Sequence, residues 1–430
     1  MFRFVNRRQE EAVLDELVRT RGLLVLHGRR RLGKTRLVTR WLQSHPGLYT
    51  QAIEGSPELQ LEQIFRDLAP SLKTKLAPRT WEELFEILDL QGSGLLLVID
   101  EFPYLVATDV TLPSRLQKWL DHRPDRTLAL ILMGSSTRAM SEVFLEEGSP
   151  LFGRARRTMR IDPMTYGDFC RALGLPTGDP ESFLKYSLVG GVPRYWEFVR
   201  PDLSPVDLAD ELFFGFAPYM ENEPRRVLRD EKVEGLSPVS LLEAIGRGAE
   251  RPSEIAARLG AVQTSLSPVL AKLVSAAILV REIPFGESER NAKRTLYKLV
   301  DPSLRFWFRV YSPHRTLWRT YGRRARLELL QTHAGTVFED FVRQAHPGAA
   351  RYWEKGVEID MIRPDTGESA GRSRVLVVSE IKHRKLSARD RASTLHDLET
   401  RWLGSQLARS HSRVRFEVVD TSALERLSAG

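Results

Sequence analysis

The sequence predicts a multidomain α/β protein, and three observations predict it. A buried strand, a glycine-rich loop and a helix succeed one another between residues 22 and 42. Two further apolar runs, Leu95 to Ile99 and Leu128 to Met133, end in polar residues, as parallel core strands do. The last third carries a Val/Leu-rich strand that ends in alternating charged side chains. At 430 residues the chain is too long for one core and divides into two to four domains.

The loop after the first strand, Gly22 to His27, reads Gly28-Arg-Arg-Arg-Leu32-Gly33-Lys34-Thr35, a G-x-x-x-x-G-K-T phosphate loop. Its glycines let successive backbone N–H groups point inward at a β-phosphate, and the following helix adds its N-terminal partial charge. This chemistry takes ATP with Mg2+. Lys34 reaches the β and γ oxygens, Thr35 ligates the metal, and Gly28, Leu32, Gly33 and Arg36 complete the cradle. Arg29 to Arg31 are either phosphate contacts or, the more ordinary outcome, a solvated basic loop tip.

The second strand ends in Asp100-Glu101-Phe102-Pro103, a Walker B motif in which Asp100 holds Mg2+ and Glu101 orients or deprotonates the attacking water. The third runs into Gly134-Ser135-Ser136-Thr137, so Ser135 or Ser136 is a candidate γ-phosphate sensor, with a plain strand-to-turn cap as the competing reading. Phosphoryl transfer also needs positive charge supplied late. Arg154, Arg156 and Arg157 are the candidates for a catalytic finger, and Arg154 is the one singled out.

Composition narrows the class. Lys and Arg number 64 against 56 acids, for a formal charge of +8, so a polyanionic partner is expected, DNA first among them. Arg315, Arg319, Arg323, Arg324 and Arg326 cluster around Trp318 and Tyr321, and Arg281, Arg290, Lys293, Arg294 and Lys298 form a second set. The apolar runs fall well short of the roughly 20 residues a membrane helix needs. The first residues carry no apolar signal-peptide core, so a cytoplasmic protein without a membrane partner is expected. Cys170, the single cysteine, leaves no internal disulfide and reads as a buried small side chain.

Phe4-Val-Asn6-Arg7 with Glu10 and Glu11, the phosphate loop, Asp100 to Pro103, Gly134 to Ser136 and Ser149 to Arg154 together resemble the archaeal-type ATPases, a branch of the AAA+/STAND P-loop proteins. The resemblance runs from residue 3 to about residue 200. It implies a P-loop NTPase core over residues 1–160 and a helical lid over 161–234. Phe4 to Arg7, with Asn6 and Arg7 as contacts, would lie near the adenine. Pro193, in Gly190-Gly191-Val192-Pro193-Arg194-Tyr195, would close the lid over it. As local chemistry, that glycine pair specifies a turn with no room for side chains.

A junction at Glu234 to Pro238 introduces residues 235–311. Leu241, Leu242 and Ile245 mark one helix, Ile255 to Leu259 a second stopped by Gly260, and Leu266 to Ile278 a third. Strands at Leu279 to Phe285 and Arg294 to Val300 complete a winged helix-turn-helix. The third helix is nearly uncharged apart from Lys272, which leaves a nonspecific nucleic-acid clamp and a structural packing module both open.

In residues 312–430, a helix from Gly335 to Arg343 precedes strands at Tyr352 to Ile362 and a buried strand ending in Ser379-Glu380-Ile381-Lys382-His383. Side chains repeat every two residues in a strand, so Glu380 and Lys382 share a face, which Asp360 on a neighbouring strand can meet. Two carboxylates can bind Mg2+ beside a lysine that orients water, with Glu339 as a further ligand. This layout resembles the PD-(D/E)xK restriction-endonuclease-like fold and the DUF234-type domain that follows archaeal-type ATPases. The resemblance gives Asp360, Glu380 and Lys382 catalytic roles and brings in Gln406. The competing reading makes Lys382 a salt-bridge partner on a docking scaffold.

The function expected is an ATP-driven switch that closes the lid, moves the winged helix and exposes a Mg2+-dependent DNA-cleaving site in defence or mobile-element control. The alternative is a noncatalytic ATP-dependent DNA-binding or signalling protein, and a chaperone-like ATPase is a third possibility. The arginines leave room for a homo-oligomer.

Overall fold

The computed structural model describes residues 5–74, 76–92, 94–122, 128–231, 233, 238–290, 294–365 and 375–428. Phe4, Lys293 and the junction residues Glu234 to Ser237 lie outside them.

The chain opens with helix α1 (Arg8–Thr20) and a five-stranded sheet of order β2-β3-β4-β1-β5. Its strands are β1 (Gly22–His27), β2 (Leu48–Gln51), β3 (Leu95–Asp100), β4 (Leu128–Gly134) and β5 (Ala155–Arg160), and every pairing is parallel. The unbroken apolar runs follow from burial on both faces. Leu24, Leu26, Leu96, Val98 and Ile131 pack on one side, and Leu23, Val25, Leu97 and Leu130 on the other. Strands β3, β4 and β1 are adjacent and parallel, so their C-terminal ends deliver Asp100, Ser135 and the phosphate loop to one edge.

After β5 come short helices, among them α3 (Pro180–Val189) and α4 (Glu223–Asp230). The glycine pair between them forms the expected tight turn. A side chain at Gly191 would place its Cβ 2.1 Å from the Met164 carbonyl oxygen. Cys170 is buried, and burial pushes its thiol up to about 11.

Helices α5 (Pro238–Gly246), α6 (Pro252–Leu259) and α7 (Gln263–Ser275) and an antiparallel hairpin of β6 (Leu279–Glu282) and β7 (Leu296–Leu299) enclose their own core. Helix α7 stops at Ser275. Ala277 then turns the chain at φ 53°, so Ile278 belongs to the hairpin side and not to the helix. Helix α7 also packs against the core helix Thr137–Phe144.

The last region begins with α8 (Arg323–Gln344), a helix of 22 residues that starts well before the predicted Gly335. Strands β8 (Ala350–Glu354), β9 (Val357–Pro364), β10 (Leu376–Lys382) and β11 (Val414–Asp420) form a mixed sheet of order β11-β10-β9-β8, with α9 (Ala388–Leu403) between β10 and β11. Strand β10 is parallel to β11 and antiparallel to β9. One continuous apolar cluster links the first sheet to this region, running from Leu14 and Leu26 through Phe183 and Trp196 to Phe338, Ile381 and Leu424. At its centre the His333 ring contacts the Ser187 carbonyl at 2.8 Å, and full burial drives that imidazole down to about 3.

The basic clusters are mostly internal. Trp318 is buried and stacked on Phe214, Arg323 pairs with Asp207, Arg326 with Asp210 and Arg324 with Glu328. In the second set, Lys298 is buried against Asp340 and Arg294 is held by Glu287. Arg281, Arg290, Arg315 and Arg319 stay exposed. Charge runs that read as polyanion-binding surface are therefore largely clamps between elements. Among the described residues, no helix is long and apolar enough to cross a membrane.

Candidate functional site

The phosphate loop joins β1 to helix α2 (Lys34–Trp41), and Gly33 caps that helix with φ 89°, a left-handed conformation that glycine adopts without steric cost. Lys34 is buried, and its Nζ donates to the Gly28 carbonyl at 2.6 Å and the Arg29 carbonyl at 3.0 Å. Burial pulls the ammonium down to about 8, against the pull of Glu101 and Asp100. Thr35 Oγ1 donates to Asp100 Oδ2 at 2.6 Å, and Tyr49 donates to the same oxygen at 3.1 Å. A hydroxyl and a carboxylate this close are hard oxygen donors of the kind Mg2+ takes. Thr35 and Asp100 therefore fit as its protein ligands.

Glu101 sits one residue further on, at φ 54°, and its Oε2 accepts from Ser135 Oγ at 2.7 Å and from the Ser135 N–H. That separates the two serines. Ser135 meets the acid, whereas Ser136 caps the next helix by accepting from the Ala139 N–H at 3.2 Å. A cavity of about 300 Å³ is lined by Gly33, Lys34, Thr35, Arg36, Glu101 and Ser135 together with Arg30, Arg31, Pro193, Arg194 and Glu197. Pro193 thus stands where the sequence places it. Arg194, given no role by the sequence reading, stands beside it; its one signal was its position directly after Pro193.

The amino-terminal segment reaches the loop from the side. Arg7 donates to the Leu32 carbonyl at 3.1 Å and the Asp162 carbonyl at 3.0 Å, while Asn6 binds Asp168 Oδ1 at 3.0 Å. Arg154 is not brought to the site. Strand β5 begins beside Leu23, at the end of β1 remote from the loop, and Arg154 pairs there with Asp121 at 2.9 Å and binds the Pro150 carbonyl. Arg157 pairs with Glu16, and Arg156 lies against Gly22.

The three loop arginines depart most from expectation. In place of a solvated tip, each is paired with an acid from far along the chain: Arg29 with Asp301 at 3.3 Å, Arg30 with Asp230 at 2.9 Å, and Arg31 with Glu223. Glu223 is fully buried and also accepts from the Tyr195 hydroxyl. Beside them Glu231 is buried, which pushes its carboxyl up to about 7. No local pattern announces these pairs, because the partners are some 200 to 270 residues apart.

In the C-terminal sheet, Asp360 and Glu380 do lie on adjacent strands, and Asp360 Oδ2 accepts from the Ile381 N–H at 2.9 Å. Burial, then Glu380 and Glu339, push Asp360 up to about 7, and burial raises Glu339 as well. Both oxygens of Glu380 are engaged, one by Lys382 and one by Arg401 of α9, each at 2.7 Å. Arg343 lies 3.7 Å from Glu339 and donates to the Asp360 carbonyl. Among the described residues, no group of three or more His, Cys, Asp or Glu could hold a metal. The metal set expected from Glu339, Asp360 and Glu380 is therefore not assembled in this arrangement. Like-charged carboxylates repel, and cations from the protein satisfy Glu380 instead. Gln406 lies elsewhere, its N–H bonded to Glu354 at 2.8 Å, and Arg401 occupies the position expected of it.

A Lys–Thr pair on the loop, bonded to a strand-end Asp with an adjacent Glu, is the decisive geometry. Residues 4–199 match the model of an ATPase domain predominantly from Archaea. That match makes this part of the chain a Walker-type ATPase domain of the archaeal family, with an interval close to the predicted one. A protein of Methanocaldococcus jannaschii described as uncharacterized is 26% identical over 414 residues, covering 92% of this chain and 91% of its own length. The Walker-type ATPase paby2304 of Pyrococcus abyssi, at 20% identity, has a TM-score of 0.53 over 71% of this chain and 96% of its own. That likeness extends to the fold. The ORC2 protein of Aeropyrum pernix, at 15% identity, covers 78% of this chain and 95% of its own with a TM-score of 0.42.

Proposed function

We propose that the chain is an ATP-binding and ATP-hydrolysing switch whose nucleotide-dependent movement is passed to a DNA-binding, nuclease-like module. The observation that carries the ATPase part is the contact of Thr35 with Asp100 beside Lys34 and Glu101. In this reading Lys34 and the loop amides bind the triphosphate, and Thr35 and Asp100 hold Mg2+, which would neutralise charge on the phosphates. Glu101 orients water once Ser135 releases it, and Pro193 and Arg194 close over the nucleotide. Domain boundaries near residues 160, 234 and 311, a cytoplasmic location and a homo-oligomer belong to the same proposal.

The placement of Asp360 beside the Glu380-Ile381-Lys382 strand supports the nuclease-like assignment. A second reading, a noncatalytic module that docks nucleic acid or a protein partner, is favoured by the engagement of Glu380 with Lys382 and Arg401. Phosphate release from ATP, with and without DNA, tests the first part. Incubating plasmid with Mg2+ or Mn2+, with and without ATP, separates the two readings of the second. Nicking that Lys382→Ala abolishes favours the nuclease. Intact plasmid retarded on a gel favours docking.

A further inference from the structure

The phosphate loop presents four consecutive side chains with unequal fates. Leu32 is buried in the core, and the three arginines before it each leave the loop to meet a carboxylate from residues 223 to 301. Arg29 faces away from the phosphate cavity. Arg30 and Arg31 line it, together with Gly33, Lys34, Thr35 and Glu101. Any triphosphate seated on Lys34 and Thr35 therefore comes within the reach of two guanidiniums that already have anionic partners. Guanidinium binds phosphate oxygens and carboxylates through the same forked donors, so the two kinds of anion compete for it.

Arg30 also connects the acid at the catalytic edge to the distant helix. Its Nη1 binds Asp230 Oδ1 at 2.9 Å and its Nε binds Ser135 Oγ at 3.3 Å, and Ser135 Oγ in turn donates to Glu101 Oε2 at 2.7 Å. Asp230, Arg30, Ser135 and Glu101 thus form one hydrogen-bonded chain from helix α4 to the residue read as orienting water. Helix α4 leads, three residues on from its end, into the winged-helix elements.

We propose that Arg30 and Arg31 are further phosphate ligands, held in ion pairs by Asp230 and Glu223 of helix α4, so that binding of a nucleoside triphosphate and docking of that helix on the loop compete. When the guanidiniums turn to phosphate, Asp230 and Glu223 lose their partners and α4 is released from the loop. Loss of the Arg30 contact also frees Ser135 to give up Glu101. The inference rests on the reading of the loop as a triphosphate site and adds what that site displaces.

The test is calorimetric titration of ATP and ADP into the full-length chain, its Asp230→Asn and Glu223→Gln variants, and Arg30→Ala. Amides keep the size of the acids and lose their charge, so the arginines should be freed with little disturbance of packing. The Asp230→Asn, Glu223→Gln double variant is expected to bind ATP at least about threefold more tightly than the parent, with a smaller gain for ADP. Arg30→Ala is expected to bind ATP about tenfold more weakly. Paired spin labels at the exposed positions Val110 and Val262, placed by V110C and V262C with Cys170 left buried, should report a changed separation when ATP is added to the parent. Unchanged ATP affinity in both the double variant and Arg30→Ala, while Lys34→Ala abolishes binding, would overturn the competition and leave the triphosphate site standing. No ATP binding by the parent would instead remove the site itself.

Discussion

The phosphate-loop edge and the C-terminal carboxylate site are built from the same parts, two acids and a lysine beside strand ends, yet their charges are arranged oppositely. At the loop, Asp100 and Glu101 are bonded to hydroxyls and an N–H, namely Thr35, Tyr49 and Ser135, so both carboxylates remain anionic partners for something else. At the C-terminal site Glu380 is neutralised by two protein cations, while Asp360 faces other acids and is pushed up to about 7. Acids held by neutral donors keep a negative field for a metal, and acids paired with Lys and Arg have largely spent theirs. Identical residue types thus mark a nucleotide site in one place and leave a salt-bridged scaffold as a live reading in the other.

The largest effect expected is at the loop. Lys34→Ala should reduce ATP turnover by about 1,000-fold or more, because no other buried cation meets the Gly28 turn, and initial-rate phosphate release measures it. A rate within tenfold of the parent would erase the distinction between the two sites. Glu101→Gln keeps the Ser135 contact and should lower turnover by about 100-fold with ATP affinity nearly unchanged, which single-turnover assays resolve.

Acidification probes the interface that joins the two regions. His333 is held near 3 in the folded chain against an ordinary 6.5, so the unfolded chain takes up a proton that the folded one refuses. Stability is therefore full above about pH 6.5 and falls as pH drops toward 3, by about 3 kcal/mol at pH 4.5. Urea unfolding at pH 7.5 and 4.5 should show that loss, and His333→Asn should flatten much of it. The smallest effect is at Arg154. Its pair with Asp121 is exposed and worth under about 1 kcal/mol, and Arg154→Ala should leave turnover within about twofold of the parent when protein is dilute. A large loss that grows with concentration would place this arginine in a neighbouring subunit's site.

Local chemistry made most of this legible. Strands β1, β3 and β4 follow from apolar runs that can only be buried on both faces, and Lys34, Thr35, Asp100 and Glu101 follow from their positions at the ends of those runs. The glycine pair at residues 190 and 191 was readable for the same reason. What could not be read was partnership across the chain. Nothing near Arg31 in sequence points to Glu223, and nothing near Trp318 tells that it stacks on Phe214 under a roof of paired arginines. Net charge counts side chains without regard to what neutralises them, so the basic clusters looked like surface for a polyanion.

The apolar cluster that runs unbroken from Leu14 to Leu424 has a practical consequence for anyone who would dissect the molecule. A fragment cut at residue 199 would keep every nucleotide-facing group but bare Phe183, Leu188 and Trp196 to water where helix α8 and its neighbours had covered them. Such a fragment should be sticky and poorly soluble, so the motor and its appendage are better separated by point changes than by scissors.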